Sequence, residues 1–115
     1  MKKIRLQFHR SYSLYIVCVE NQDKVKKFAV DKGLDMLENN DYDGLLIHKG
    51  RSVYIVIHKD TSAGDIAHEC IHLMNYFYKI IGQELDVNND EMYCYQVGYF
   101  VDEAIEFQRS YAKSC

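Results

Sequence analysis

Near residue 60 the hydrophobic pattern of this chain changes period, and that change limits the folds open to it. Ser52 to His58 (SVYIVIH) is a run of β-branched and aromatic residues of the kind a buried strand requires. From Ala67 onward, Cys70, Ile71, Met74, Phe77, Tyr78 and Ile81 recur at helical spacing. Thr61 or Ser62 stands where an N-cap is needed, and Asp65 follows Ser62 at the spacing of a capping box. Gly82 supplies the stop. A strand therefore leads almost directly into a long amphipathic helix.

Proline is absent, so the six glycines and the Asn/Asp clusters punctuate the rest. Ile4 to Phe8 alternates as a strand does, and Ser13 to Glu20 reads as a more buried strand. Asn21 is placed to cap a short helix whose stripe is Val25, Phe28 and Ala29, ending near Lys32. Between Gly33 and Asp43, DMLE is compatible with more helix and NNDYDG with a turn. Gly44 to His48 is the next strand, joined to Ser52 to His58 by a hairpin-length link. Asn88 or Asn89 can cap a last helix with Asp90 and Glu91 in its acidic first turn, running to about Tyr111. This order predicts one α+β domain over residues 1–115. A small, mostly antiparallel sheet is expected to pack on the residue-68 helix and a long C-terminal helix.

Several function classes are set aside by composition. The formal charge is −3, and no basic face with interleaved aromatics stands out, so no nucleic acid is expected as a partner. The ten tyrosines mostly alternate with aliphatics and read as packing residues. The apolar run Leu14 to Val19 is too short for an export signal or a membrane span. Cys18, Cys70, Cys94 and Cys115 show no paired spacing, so reduced thiols and a cytoplasmic location are expected.

The chemistry lies in His68-Glu69-Cys70-Ile71-His72, an HExxH sequence on the helix. His68 and His72 are one turn apart and leave the same face, so both imidazoles can grip one zinc ion. Glu69 lies roughly 100° round the helix, beside the metal position, where it can accept a proton from a water that the metal activates. A third ligand is needed. Glu91, 19 positions after His72, is the first choice, with Asp90 and Cys94 meeting the same chemical requirement. Glu91, Tyr95, Gly98 and Asp102 share helical spacing. Tyr95 can stabilise an oxyanion or simply pack between helices, and Gly98 would let two helices approach closely. Asp65 and Asn75 share the histidine face and can orient ligands.

The run AHECIHLMNYFYKIIGQELDVNNDEMYCYQVGYFVDEA resembles the zincin metallopeptidases, in the gluzincin pattern of HExxH followed by a glutamate on the next helix. It is similar to small HExxH proteins of bacteriophage and related bacterial genomes, and to the ImmA/IrrE-like peptidases. The resemblance implies a minimal zincin-like domain with His68, His72 and Glu91 as zinc ligands and Glu69 as general base. It also implies that Ser52 to His58 is the edge strand lining the substrate cleft. Larger gluzincins carry a further domain with an oxyanion-binding histidine or tyrosine, and no such domain is expected within these 115 residues. A narrow peptide or protein substrate, such as a regulatory or host protein target, is the expectation. The alternative is a zinc-containing binding or inhibitory protein that acts on a partner without catalysis.

Overall fold

The computed structural model describes residues 1–4, 6, 11–33 and 42–114. Seven elements follow one another: β1 (Lys2–Ile4), β2 (Ser13–Val19), α1 (Gln22–Asp31), β3 (Gly44–Lys49), β4 (Ser52–His58), α2 (Ala63–Ile81) and α3 (Glu91–Ser114). The domain is α+β. Of the Ile4 to Phe8 strand expected from sequence, Ile4 closes β1, and residues 5 and 7–10 lie outside the described residues. The ambiguous stretch before β3 falls largely in residues 34–41, also outside them.

The four strands form one sheet in the order β1-β2-β4-β3. Both outer pairings are antiparallel, as expected, but the central pair β2/β4 is parallel, with Ser13 opposite Ser52 and Val19 opposite His58. A strand at the centre of a sheet covered on both faces carries apolar side chains in both directions. β2 does so. Leu14, Ile16 and Cys18 join the core under α2 and α3, while Val17 joins Val25 and Ala29 of α1 on the opposite face. The single-sided packing expected from sequence is therefore incomplete, because α1 covers the second face.

Local signals account for most boundaries. The Asn21 side chain accepts from the Lys24 amide at 3.1 Å and starts α1. Ser62, rather than Thr61, caps α2 by accepting from the Asp65 amide at 3.1 Å. Thr61 is buried instead, accepting the His58 amide and donating to the Asp43 carbonyl. Gly82 ends α2 at φ 71°, a left-handed position that glycine occupies without a Cβ clash. Gly50 opens the two-residue β3–β4 turn at φ 60°, as a type II′ hairpin needs.

α3 returns along α2. Near its start the Tyr93 hydroxyl reaches α2, and near its end the Gln108 amide donates to the carbonyls of His58 and Thr61, at 3.0 and 2.8 Å. Phe77 and Phe100, both fully buried, meet between the two helices with ring centres 6.4 Å apart. No helix among the described residues is long and apolar enough to cross a membrane.

Candidate metal centre

α2 packs on the sheet beside α3, so it has two inward directions and one outward. Ile66, Cys70, Leu73 and Phe77 are buried in the main core. His68 and His72 face outward from the same helix, the His68 side chain being 65% exposed. Their Nε2 atoms converge to 3.2 Å, with ring centres 4.7 Å apart and planes at 79°. That separation suits two ligands of one ion. Zinc–nitrogen bonds of about 2.0–2.1 Å would let both nitrogens reach one ion from these positions.

Glu69 is in a different situation. Its side chain is 12% exposed, and one carboxylate oxygen lies 3.8 Å from His68 Nε2. Burial pushes its carboxyl above the ordinary glutamate range. The charges of His68 and His72 and a hydrogen bond from the Leu46 backbone amide oppose that shift, and Asp65 adds a small upward push. The glutamate is thus partly desolvated and held against β3. Gly44 lies directly beside it, and a Cβ there would sit 3.4 Å from both Glu69 Cγ and the Val56 carbonyl oxygen, with little room for a larger side chain.

These contacts correct the expected cleft wall. β4 (Ser52–His58) is an interior strand, paired with β2 on one side and β3 on the other. The edge strand beside the motif is β3. Further along it His48 stacks on Tyr76 of α2, with ring centres 4.3 Å apart and planes at 16°. β3 therefore runs beside α2 from Glu69, near Gly44 and Leu46, to Tyr76, near His48.

The residues expected on α3 are placed less uniformly. Glu91 opens the helix and is exposed; Asp90 immediately precedes it and is half-buried; Cys94 is exposed. Among the described residues, no group of three or more His, Cys, Asp or Glu side chains is assembled to hold a metal ion. Tyr95 is 72% exposed, whereas Tyr93 is 8% exposed and is the tyrosine that reaches α2. The Tyr93 hydroxyl donates to Asn75 Oδ1 at 2.7 Å and approaches the Ile71 carbonyl at 3.4 Å. Burial raises its pKa above the ordinary tyrosine range. Asn75 is thus taken up by Tyr93. Gly98 faces outward with nothing within 4 Å of a built Cβ, so it does not serve a close α2–α3 approach.

Sequence reasoning missed Gly44, the Leu46 amide and Tyr93. Tyr93 had a signal, since Tyr93, Val97, Phe100 and Ala104 form the buried helical stripe of α3. Gly44 and Leu46 had none, because they are defined only by the packing of β3 against α2.

No family profile, curated protein or solved structure matches the chain. The functional reading rests on the residues themselves.

Proposed function

We propose that this protein is a zinc-dependent hydrolase of peptide or amide bonds, with His68, His72 and Glu91 as metal ligands and Glu69 as the proton-transfer group. The observation that carries the reading is the convergent histidine pair beside a partly desolvated glutamate on the same helix turn. Zinc bound there supplies Lewis acidity, polarising a carbonyl and lowering the pKa of water to about 7. His68 and His72 present Nε2 from one helix face and need no loop to order them. Glu69, with its pKa raised by burial, is suited to take a proton from the attacking water and return it to the leaving amine. The Leu46 amide and the wall at Gly44 hold that carboxylate in place. The edge of β3, which pairs with no further strand among the described residues, offers backbone groups to an extended peptide chain.

Glu91 is exposed and is not gathered with His68 and His72, so its assignment rests on the sequence pattern and on its lying in the first turn of α3. Tyr93, two residues beyond it, ties the first turn of α3 to the Ile71–Asn75 turn of α2, which also carries His72. A carboxylate also leaves zinc a stronger acid than a thiolate would, which suits water activation. Purified protein is expected to hold close to one zinc per chain, with His68→Ala and His72→Ala releasing it. Dissociation constants for Glu91→Ala, Asp90→Ala and Cys94→Ser, measured side by side, identify the third ligand. Glu91→Ala is expected to lose more than the roughly 10–100-fold typical of a ligand-supporting residue. If Cys94→Ser is the variant that loses metal, the site is of the His₂Cys type and a non-catalytic zinc-binding protein becomes the better reading. Glu69→Gln is expected to keep zinc but lose roughly 10²–10⁴-fold in hydrolysis of a quenched fluorogenic peptide library. Zinc-free wild type that takes up none on addition would sink the proposal.

A further inference from the structure

A crevice lined by neither histidine holds a cavity of about 540 Å³ near the point where α2 and α3 are joined. Its walls are Met74, Tyr78, Ile81 and Met92. The polar groups among its lining residues are the neutral carboxamides of Gln83, Asn89 and Gln96, together with the Tyr78 hydroxyl, so no charged side chain lines it. A volume of this size falls within the range of about 300–1,000 Å³ used by ligand sites. Ile81 and Met92 are both exposed, and the connection after Gly82 adds exposed Leu85 and Val87. Large apolar side chains gathered at one end of a helical pair, around an open cavity, mark a surface that another molecule covers.

Charge identifies that molecule. Between Met74 and Gln96, Lys79 is the only basic residue, against Glu84, Asp86, Asp90 and Glu91. With Glu91 assigned to the metal, three carboxylates remain against one ammonium. Glu84 and Asp86 are exposed and Asp90 is half-buried, all within the connection that carries Gln83 and Asn89. An anionic membrane surface would be repelled. A cationic partner with an apolar stripe is complementary on both counts. Methionine walls add adaptability, because the unbranched thioether repacks around different anchors.

We propose that this crevice is a docking site for a basic amphipathic helix of a partner protein. The helix inserts apolar side chains, spaced three or four positions apart, between Met74, Tyr78, Ile81 and Met92. Its lysines or arginines then face Glu84, Asp86 and Asp90. Neither hydrolysis nor metal is required, since a free Glu91 would only add a fourth carboxylate, so the test is separate from that of the proposed activity.

The probe is a fluorescein-labelled, end-capped 18-residue peptide of leucine and lysine in a helical amphipathic pattern. The controls are a scrambled peptide of the same composition and a leucine–glutamate peptide of the same pattern. Anisotropy titration of the full chain is expected to show saturable micromolar binding of the patterned basic peptide, weakening as salt rises. Binding of each control is expected to be at least tenfold weaker. Leu85→Ser combined with Met92→Ser changes exposed residues only and is expected to weaken binding at least tenfold while Tm is kept. Amide shifts on peptide addition should cluster in residues 74–96 and spare His68 and His72. Equal binding of the scrambled peptide, no saturation, or an unchanged affinity in the double variant overturns the proposal. It is also overturned if sedimentation finds a wild-type dimer that the double variant dissolves, since the occupant is then a second copy.

Discussion

Tyr93→Phe tests whether the start of α3 is tied to the histidine-bearing helix by one hydroxyl. The substitution keeps the buried ring and its edge-on contact with Tyr78, at 5.3 Å, and removes only the oxygen. What is lost is a 2.7 Å hydrogen bond to Asn75 and a weak 3.4 Å approach to the Ile71 carbonyl. A neutral hydrogen bond contributes about 0.5–1.5 kcal/mol net, and exposed Asn75 can turn to water when its partner goes. The expected loss is therefore about 1 kcal/mol. Unfolding entropy near 2.1 cal/mol/K per residue gives roughly 0.24 kcal/mol/K for this chain, so Tm should fall by about 4 °C. Tyr95→Phe, at a 72% exposed position, should move Tm by less than about 1 °C. Differential scanning calorimetry of both variants, with and without zinc, is the assay. If Glu91 is a ligand, Tyr93→Phe should also weaken zinc binding by up to about tenfold, because the turn carrying Glu91 is less well held. Equal Tm losses in the two variants, or a greater loss in Tyr95→Phe, would refute the assignment of Tyr93 as the tie.

Gly44→Val is expected to leave zinc binding intact but to depress hydrolysis strongly, because the added methyl groups press on Glu69 and the Val56 carbonyl. A stability loss of roughly 1–3 kcal/mol in urea should accompany it. Native-state alkylation mapped by mass spectrometry should modify exposed Cys94 and spare Cys70, which is buried with its thiol pushed up to about 12; modification of Cys70 in folded protein would contradict its burial. Asp43 is held below the ordinary carboxylate range by hydrogen bonds from His58 and Gln22. Its contribution is therefore present above its unfolded pKa and lost as pH falls through the lower folded value. The urea-midpoint gap between wild type and Asp43→Asn should be present at neutral pH and narrow as the pH is lowered through and below the ordinary aspartate range.

The elements were legible wherever a cap or a change of period marked them. Asn21, Ser62 and Gly82 each act at a predicted boundary, and the HExxH sequence lies on the helix expected for it. The phase of α2 was harder to read. Ile71 and Ile81 belong to its sequence stripe yet are exposed, whereas Ile66 and Leu73, outside that stripe, are buried. A helix packed on a sheet and flanked by another helix buries two directions at once, and a single stripe does not separate them. The parallel β2/β4 pairing was not legible either, because two strands buried on both faces carry no alternation to show which neighbour each takes. At the site, sequence spacing fixed the relation of His68, Glu69 and His72 because one helix carries all three. The roles of Gly44, Leu46 and Tyr93 arise from contacts between elements distant in the chain. Local periodicity says nothing about such contacts.

The parallel central pair also shapes how the chain reaches this fold. β3 and β4 meet across a two-residue turn and continue into α2 and α3, so residues 44–114 assemble through short-range closures. β2 pairs locally with β1, but its junction with that unit is long-range. Leu14 must find Val53, 39 positions away, and the entropy of closing that loop is lost before the pairing returns anything. Contacts of this separation slow folding. The rate-limiting event is expected to be the arrival of β2 beside a preformed β4, with β1 and α1 carried in behind it. Trimming the side chain of Ile16 should then slow refolding, while the same change at Ile47, on the far edge of the hairpin, should mainly speed unfolding.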